Sequence, residues 1–155
     1  MVKYNFMEIN QITMSSRIIS IITLGVKDLK RSTKFYEGLG FTVSSHSDDN
    51  IVWFMTGGTV LGLYPWNAMA DDATVPSEGS GFRGTTLAIN LRSEKEVDEF
   101  VKKAEHLGGK VIKTPQKVFW GGYSSYFQDF DGHHWEVAFN PFTPVDGNGK
   151  LDLKD

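Results

Sequence analysis

One order of predicted elements, a strand, a helix and three further strands, occurs twice in this chain, at about residues 22–64 and 85–139. A supersecondary unit that recurs within one chain constrains the fold more strongly than any single element does. Neither unit can bury its own sheet alone, so the two are expected to pack together in one domain. The sequence therefore predicts an α+β fold of two tandem βαβββ modules, which form a curved mixed sheet with the helices on its convex face and a hollow on the other.

The helix of each unit is marked by its capping residues. Asp28 is placed to cap the first helix, and Gly38 and Gly40 are placed to end it. Ser93 and Glu96 form a capping box at the start of the second helix, where their side chains satisfy two exposed backbone donors. Apolar runs and turn signals predict strands at residues 17–26, 41–46, 51–55, 59–64, 85–91, 110–113, 123–128 and 133–139.

The segments outside these units are predicted to be irregular. The stretch between them holds several glycines, Pro76 and two adjacent aspartates, and it shows no sustained periodicity. A loop of this length inside a small domain is usually functional or mobile. The predicted divisions are an N-terminal extension at residues 1–16, module 1 at about 17–65, a linker at 66–83, module 2 at about 84–140 and a C-terminal tail at 145–155, with a single domain spanning 17–144.

Composition excludes several classes of protein. Hydrophobic residues make up 40% of the 155 residues and aromatic residues 13%, which argues against a disordered chain. The absence of cysteine excludes disulfides, zinc thiolate sites and a cysteine nucleophile. A net charge of −3 argues against a nucleic-acid partner, and no apolar run approaches the roughly 18 residues of a membrane helix. The first residues lack the features of a signal peptide, so the cytoplasm is the expected compartment.

Five stretches of the chain carry a recognisable pattern, at residues 21–29, 35–36, 38–41, 119–124 and 129–137. Together they resemble the vicinal oxygen chelate superfamily, which includes glyoxalase I, extradiol dioxygenases, methylmalonyl-CoA epimerase, fosfomycin-resistance transferases and bleomycin-binding proteins. The resemblance covers about residues 18–144 and implies a βαβββ fold, a small-molecule cavity on the concave face of the sheet and a homodimer. Because members of this superfamily differ in activity, the resemblance does not fix the function.

The resemblance also implies where a divalent metal would bind. In the metal-dependent members the ligands are His, Glu or Gln side chains on the first and last strands of the modules, and the metal acts as a Lewis acid. The matching positions here are Ile21, Gly62, Thr86 and Glu136, of which Glu136 alone is an ordinary metal ligand. His134 lies two residues from Glu136 and shares its face of the strand, so these two are the candidates for a rebuilt metal site. The expectation is that no cofactor binds, with a divalent metal as the alternative.

Strand alternation places the remaining candidates. If Glu136 faces the hollow, His134 faces it as well, and the intervening Trp135 packs under the helices. Trp53 and Phe54 must likewise face opposite sides, and the pattern alone does not say which of them faces the hollow. Glu136 is then a ligand-binding or acid–base group, unless it is a solvated surface charge. The residues expected to bind the ligand are Ile21, Thr23, Gly62, Thr86, Trp120 and His134, with Trp120 as a cavity wall because it lies in a Gly-rich loop.

Three functions remain open from the sequence. The first is a metal-free binding protein, in the manner of the bleomycin-resistance proteins, which holds an aromatic or cationic small molecule without chemistry. The alternative is a metal-dependent lyase or isomerase of the glyoxalase I type, with Glu136 as ligand or base. The third is an interaction module whose hollow is filled by side chains. The first is motivated by Ile21 and Gly62, which offer no metal ligand, and the alternative by the family resemblance and Glu136, so the sequence leaves the choice between these two open.

Overall fold

The repeated order of elements is present in the structure, a computed structural model that describes residues 19–151. The predicted extension at residues 1–16 lies outside the described residues. The elements are β1 (Ile21–Val26), α1 (Leu29–Leu39), β2 (Thr42–Val43), β3 (Val52–Met55), β4 (Val60–Pro65), α2 (Trp66–Asp72), β5 (Thr86–Leu91), α3 (Glu94–His106), β6 (Lys110–Lys117), β7 (Tyr123–Gln128) and β8 (His134–Phe139). This order confirms the α+β class and the two tandem βαβββ modules.

Each module forms its own four-stranded mixed sheet. The first sheet has the strand order β1-β4-β3-β2, and the second has the order β5-β8-β7-β6. In each sheet the first and last strands of the module pair in parallel, β1 with β4 and β5 with β8, while the other pairs are antiparallel. This arrangement leaves β1 and β5 as edge strands. Within residues 19–151 no strand pairing joins the two sheets.

The helix caps lie where the sequence predicts them. The Asp28 side chain accepts a hydrogen bond from the backbone N–H of Arg31 at 2.9 Å, and Gly40 follows α1 with a φ of 104°. Ser93 accepts from the backbone N–H of Glu96 at 3.2 Å, and the Glu96 carboxylate accepts from that of Arg92 at 2.9 Å. These bonds satisfy donors that a helix start leaves without partners, and they fix where α1 and α3 begin.

Both sheets bury their apolar faces in one shared core. Tyr36 on α1 lies between them, because its ring centroid is 5.8 Å from that of Phe54 on β3 and 5.8 Å from that of Trp135 on β8. Trp135 stacks on Phe127 with a centroid distance of 6.3 Å, and both are buried. Since the inner faces of the two sheets turn toward the same core, their outer faces point away from it.

A buried polar cluster fastens the two modules together inside this core. The Tyr36 hydroxyl donates to Asp129 Oδ2 at 2.7 Å and accepts from Trp135 Nε1 at 3.1 Å. Burial, followed by the Asp129 carboxylate, raises the pKa of Tyr36 well above its ordinary value, so the phenol stays protonated and remains a donor. Asp129 Oδ1 also accepts from the backbone N–H groups of Asp131 and His133, both at 2.9 Å, and thereby shapes the β7–β8 turn.

The predicted linker is wrong at its start, where residues 66–72 form helix α2. This helix packs on the outer face of β1 over Gly25. A Cβ atom at Gly25 would lie 3.0 Å from Met69 Cε and 3.4 Å from Trp66 Cε3, so the absence of a side chain makes room for the helix. Tertiary packing on this glycine therefore gives order to a segment whose sequence shows no clear periodicity.

Three further boundaries differ from the sequence-based prediction. The strand predicted at 41–46 is shorter, because Ser44 and Ser47 already belong to a turn, with a 3.0 Å bond from the Ser47 N–H to the Ser44 carbonyl. β6 continues through Pro115 to Lys117, which an edge strand with register shifts permits. The described part of the tail is held in place, because Arg92 donates to the carbonyls of Asp146 and Gly147 at 3.2 and 3.0 Å.

In residues 19–151 no helix has the length and apolarity needed to cross a membrane.

Replacing Tyr36 by Phe is expected to lower the free energy of unfolding by about 1–3 kcal/mol, because it leaves the buried Trp135 Nε1 and Asp129 Oδ2 without their partner. Urea unfolding followed by tryptophan fluorescence measures the change. Tyr123→Phe is the matched control, because the Tyr123 hydroxyl bonds Asp98 at an exposed site and its loss is expected to have an effect within about 0.5 kcal/mol. Equal losses of unfolding free energy in the two variants would contradict the role of the Tyr36 hydroxyl in holding the two modules together.

Candidate functional site

Glu136 lies at the centre of the outer face of the second sheet. In register it lies between Ala88 on β5 and Tyr126 on β7, and Tyr126 in turn pairs with Lys113 on β6. Glu136 is half-buried, whereas its neighbours in sequence, Trp135 and Val137, are buried in the core. The strand alternation expected from the sequence is therefore present, with Glu136 on the side away from the core.

The polar groups around Glu136 carry complementary charge. Partial burial, followed by the Glu136 carboxylate, raises the pKa of Tyr126 above its ordinary value. The Lys113 ammonium lies 5.5 Å from the centroid of the Tyr126 ring and donates to Ser124 Oγ at 3.2 Å. A carboxylate, a protonated phenol and an ammonium group thus stand on three adjacent strands, which gives this face a proton acceptor beside proton donors.

His134 lies on the same outer face, one row from Glu136. It pairs in register with Thr86 on β5 and with Gln128 on β7. Its Nε2 atom is 3.1 Å from Nε2 of Gln128, and its ring meets Phe82 edge-on at a centroid distance of 5.6 Å. When the Gln128 amide donates, His134 Nε2 accepts and the ring proton is on Nδ1. The Nε2 lone pair of His134 is then already engaged.

The outer face of the first sheet carries a second, mainly apolar group. Thr23 and Trp53 both pair in register with Gly62, and the Trp53 ring covers this glycine. A Cβ atom at Gly62 would lie 2.7 Å from Trp53 Cζ3 and 3.3 Å from Thr23 Oγ1. Trp53 therefore faces outward and Phe54 faces the core, which settles the choice that the sequence left open. Ile21 begins β1 on this face and is 48% exposed.

The structure brings the predicted site residues together in two groups. Glu136, His134 and Thr86 share the outer face of the second sheet, while Ile21, Thr23 and Gly62 share that of the first. Since both sheets turn their inner faces to one core, the two groups lie on different surfaces of a single chain.

Trp120 lies apart from both groups, at the tip of the β6–β7 hairpin. The turn is closed by a 3.0 Å bond from the Val118 N–H to the Gly122 carbonyl. The indole of Trp120 folds over Gly122, where a Cβ atom would collide with the ring, and 37% of the residue is exposed. In register this tip lies beyond the Tyr123–Phe139 pair, whereas Glu136 pairs with Tyr126. The Tyr123–Phe139 pair is itself three register positions from Glu136, so the predicted wall residue lies more than three positions away.

The candidate ligand positions in the described part of one chain do not fit a divalent metal. Ile21 and Gly62 carry no donor, Ala88 is the neighbour of Glu136 on β5, and Thr86 is the neighbour of His134. Over the described range no three His, Asp or Glu side chains gather closely enough to share an ion. His134 and Glu136 supply two donors at most, and Nε2 of His134 already has a partner.

Tyr126 and Lys113 lie beside Glu136, although the sequence-based prediction did not include them among the site residues. The signal for Tyr126 lies in the β7–β8 hairpin, because a turn over residues 129–132 sets Tyr126 opposite Glu136. The signal for Lys113 is hidden, because two register shifts in β6 determine which residue faces Tyr126.

Replacing Glu136 by Gln is expected to lower the pKa of Tyr126, because the negative charge that opposes phenolate formation is removed. The pKa should stay above the ordinary tyrosine value, since burial is the larger cause. NMR titration of ring-labelled tyrosine, with Tyr126→Phe for assignment, measures this change. Tyr123 is the internal control, because its raised pKa depends first on the hydrogen bond to Asp98 and should respond to Asp98→Asn instead. If the pKa of Tyr126 were unchanged in Glu136→Gln, the Glu136 charge would not act on the Tyr126 phenol.

Known proteins resemble this chain along most of its length. The family model of the Glyoxalase/Bleomycin resistance protein/Dioxygenase superfamily matches residues 18–137 of this chain. The fosfomycin resistance protein FosX of Listeria monocytogenes is 27% identical over 122 residues, covering 77% of this chain and 86% of that protein. A glyoxalase-related enzyme from Fulvimarina pelagi is 30% identical with a TM-score of 0.79, covering 91% of this chain and 100% of the other. Lactoylglutathione lyase from Agrobacterium tumefaciens is 25% identical with a TM-score of 0.61, covering 83% and 97%. This chain belongs to the Glyoxalase/Bleomycin resistance protein/Dioxygenase superfamily.

Proposed function

We propose that this chain binds a small molecule on the outer faces of its sheets, without the full metal site of its metal-dependent relatives. The observation that carries the proposal is the half-buried Glu136 beside Tyr126, on the sheet face that points away from the aromatic core. A carboxylate withdrawn from water is unfavourable unless a donor or a cation compensates it. Tyr126 supplies one partner, and a cationic or hydrogen-bonding ligand group would supply another.

The ligand class follows from the chemistry of the two outer faces. The second sheet offers the Glu136 carboxylate and the Tyr126 ring, and the first offers the exposed side of Trp53. Carboxylates and aromatic faces both attract cations, so a cationic ligand with an aromatic part fits best. Bleomycin is a suitable probe of this kind, and its name is part of the superfamily description. Fosfomycin, named for the FosX relative, is an anionic probe for comparison.

The complete cavity in this proposal is built by two chains. The two groups of site residues lie on separate surfaces of one chain. In the described residues, β1 pairs only with β4 and β5 only with β8, so each has one unpaired edge. In a homodimer with a two-fold axis, the first sheet of one copy would stand beside the second sheet of the other. Such a pairing would unite Thr23 and Gly62 of one copy with the equivalents of Glu136 and His134 in its partner.

Calorimetric titration of metal-free bleomycin is expected to show at least about tenfold weaker binding to Glu136→Gln than to the unchanged chain, because the compensating charge is lost. Glu105→Gln is the matched control, since Glu105 is exposed on α3 and its substitution should leave the affinity unchanged. Equal affinities for the three proteins would exclude Glu136 from the binding site. Fosfomycin should bind more weakly than bleomycin, because Glu136 repels its phosphonate.

A mixture of two defective variants tests whether the cavity is shared. Gly62→Leu would displace the Trp53 ring in the first sheet, because a Cβ atom there would lie 2.7 Å from Trp53 Cζ3, and Glu136→Gln alters the second sheet. If each cavity takes one sheet from each copy, random pairing of the variants should restore about a quarter of the bleomycin sites. A cavity built within one chain would recover none. Light scattering of the unchanged chain should give the mass of a dimer.

The second candidate function is a metal-dependent lyase or isomerase of the glyoxalase I type. It is favoured by a proton acceptor, Glu136, beside a proton donor, Tyr126, and by the similarity to lactoylglutathione lyase. Turnover of the hemithioacetal of methylglyoxal and glutathione, measured with added nickel or zinc, tests it. Activity that Glu136→Gln abolishes, together with a near-stoichiometric metal by elemental mass spectrometry, would favour this function. No turnover with either metal would leave ligand binding as the proposal.

A further inference from the structure

We propose that a second cavity, which Glu136 does not line, binds a small organic anion with a flat apolar body. This cavity, which we call the end cavity, has a volume of about 610 Å³ and lies between the end of β1, helix α2, residues 73–85 and the start of β8. Its volume falls in the roughly 300–1,000 Å³ range of small-molecule pockets. Of the site residues predicted from the sequence, His134 alone lines it.

The walls of the end cavity are mainly apolar and come from three parts of the fold. Leu24 and Leu87 belong to the edge strands, Trp66 and Met69 belong to α2, and Phe82 belongs to the segment that follows. Phe82 is 68% exposed and rests edge-on against His134, so a ligand would remove part of its ring from water. Trp66 Nε1 donates to the Ser77 carbonyl at 3.0 Å, which ties the loop wall to the helix.

Two cations border this apolar space. Lys27 Nζ lies 5.7 Å from the centroid of the Trp66 ring, and the Arg83 guanidinium folds over Gly79, where a Cβ atom would lie 2.6 Å from its Nη1. Both residues are exposed, and neither forms an ion pair within residues 19–151. Their positive charges are therefore available to a ligand at the rim of the cavity.

The lining carboxylate does not cancel these charges. Asp131 is the one acidic residue among the described residues that line the end cavity. Its Oδ1 accepts from the backbone N–H of Lys27 at 2.9 Å, and its Oδ2 accepts from Ser32 Oγ at 3.3 Å. Both carboxylate oxygens are thus committed to holding the β7–β8 turn against the end of β1. The two positive charges of Lys27 and Arg83 exceed the single negative charge of Asp131, so the rim of the end cavity carries a net positive charge.

These features together point to an aromatic carboxylate or a similar anion. Aromatic and aliphatic walls suit a planar apolar body, because its burial is favourable and ring stacking adds to it. A guanidinium and an ammonium at the rim suit one carboxylate, which guanidinium groups can bind with two parallel hydrogen bonds. This preference is opposite in charge to the one proposed for the face around Glu136, so the two sites can be told apart.

Titration of naphthalene-2-carboxylate into the full chain tests the end cavity. The tryptophan indole signals in the ¹H–¹⁵N NMR spectrum are followed, with Trp66→Phe and Trp53→Phe for assignment. The Trp66 signal is expected to shift and saturate, because Trp66 lines the cavity, while the Trp53 signal stays in place. The neutral naphthalene-2-carboxamide should bind about tenfold more weakly, since it lacks the charge that Lys27 and Arg83 would meet.

Charge variants make the test specific. Arg83→Gln combined with Lys27→Gln is expected to weaken the carboxylate at least about tenfold and to leave the carboxamide unchanged. The matched control is Lys30→Gln, an exposed site on α1 that does not line the cavity, which should leave both affinities unchanged. Glu136→Gln should also leave them unchanged. An unmoved Trp66 signal, equal affinities for acid and amide, or equal weakening by Glu136→Gln would each overturn the proposal.

Discussion

The burial of Tyr36 between two sheets is the contact on which the rest of the structure depends. Its ring touches the inner face of each sheet, and its hydroxyl joins Asp129 to Trp135. A phenol inside an apolar core needs a hydrogen-bond acceptor and a hydrogen-bond donor as partners. Here the first repeat supplies the phenol, and the second repeat supplies both partners. The repeats are thus held face to face through α1 rather than side by side through strand pairing.

This arrangement decides what one chain can and cannot present to a ligand. Because the apolar faces meet in the middle, the polar group around Glu136 and the apolar group around Trp53 point outward on separate surfaces. In the proposed homodimer, each group would form one half of the binding site. A space remains between the edge strands β1 and β5. Helix α2 and the loop that follows it cover one end of this space and so form the end cavity.

Much of the fold could be predicted from the sequence because the relevant signals are local. Asp28, Ser93 and Gly40 fix helix ends through bonds to residues close in sequence, and strand alternation in β8 puts Glu136 outside. Helix α2 could not be predicted in this way, since its order depends on the space above Gly25. The division of the site into two surfaces was equally hidden, because it depends on how the sheets pack, which no residue pattern encodes. Lys113 is opposite Tyr126 only through irregularities in β6.

The β7–β8 turn has a consequence for the order in which the chain acquires its structure. Asp131 at this turn bonds the backbone of Lys27, which is 104 residues earlier in the sequence. A contact between such distant residues closes a long loop, and the entropy lost in closing it is recovered only when the surrounding core has formed. The first repeat, emerging earlier from the ribosome, must therefore wait for the last hairpin before its end of β1 is secured. We therefore expect neither repeat to gain its full stability before the hairpin that carries Asp131 has docked against the end of β1.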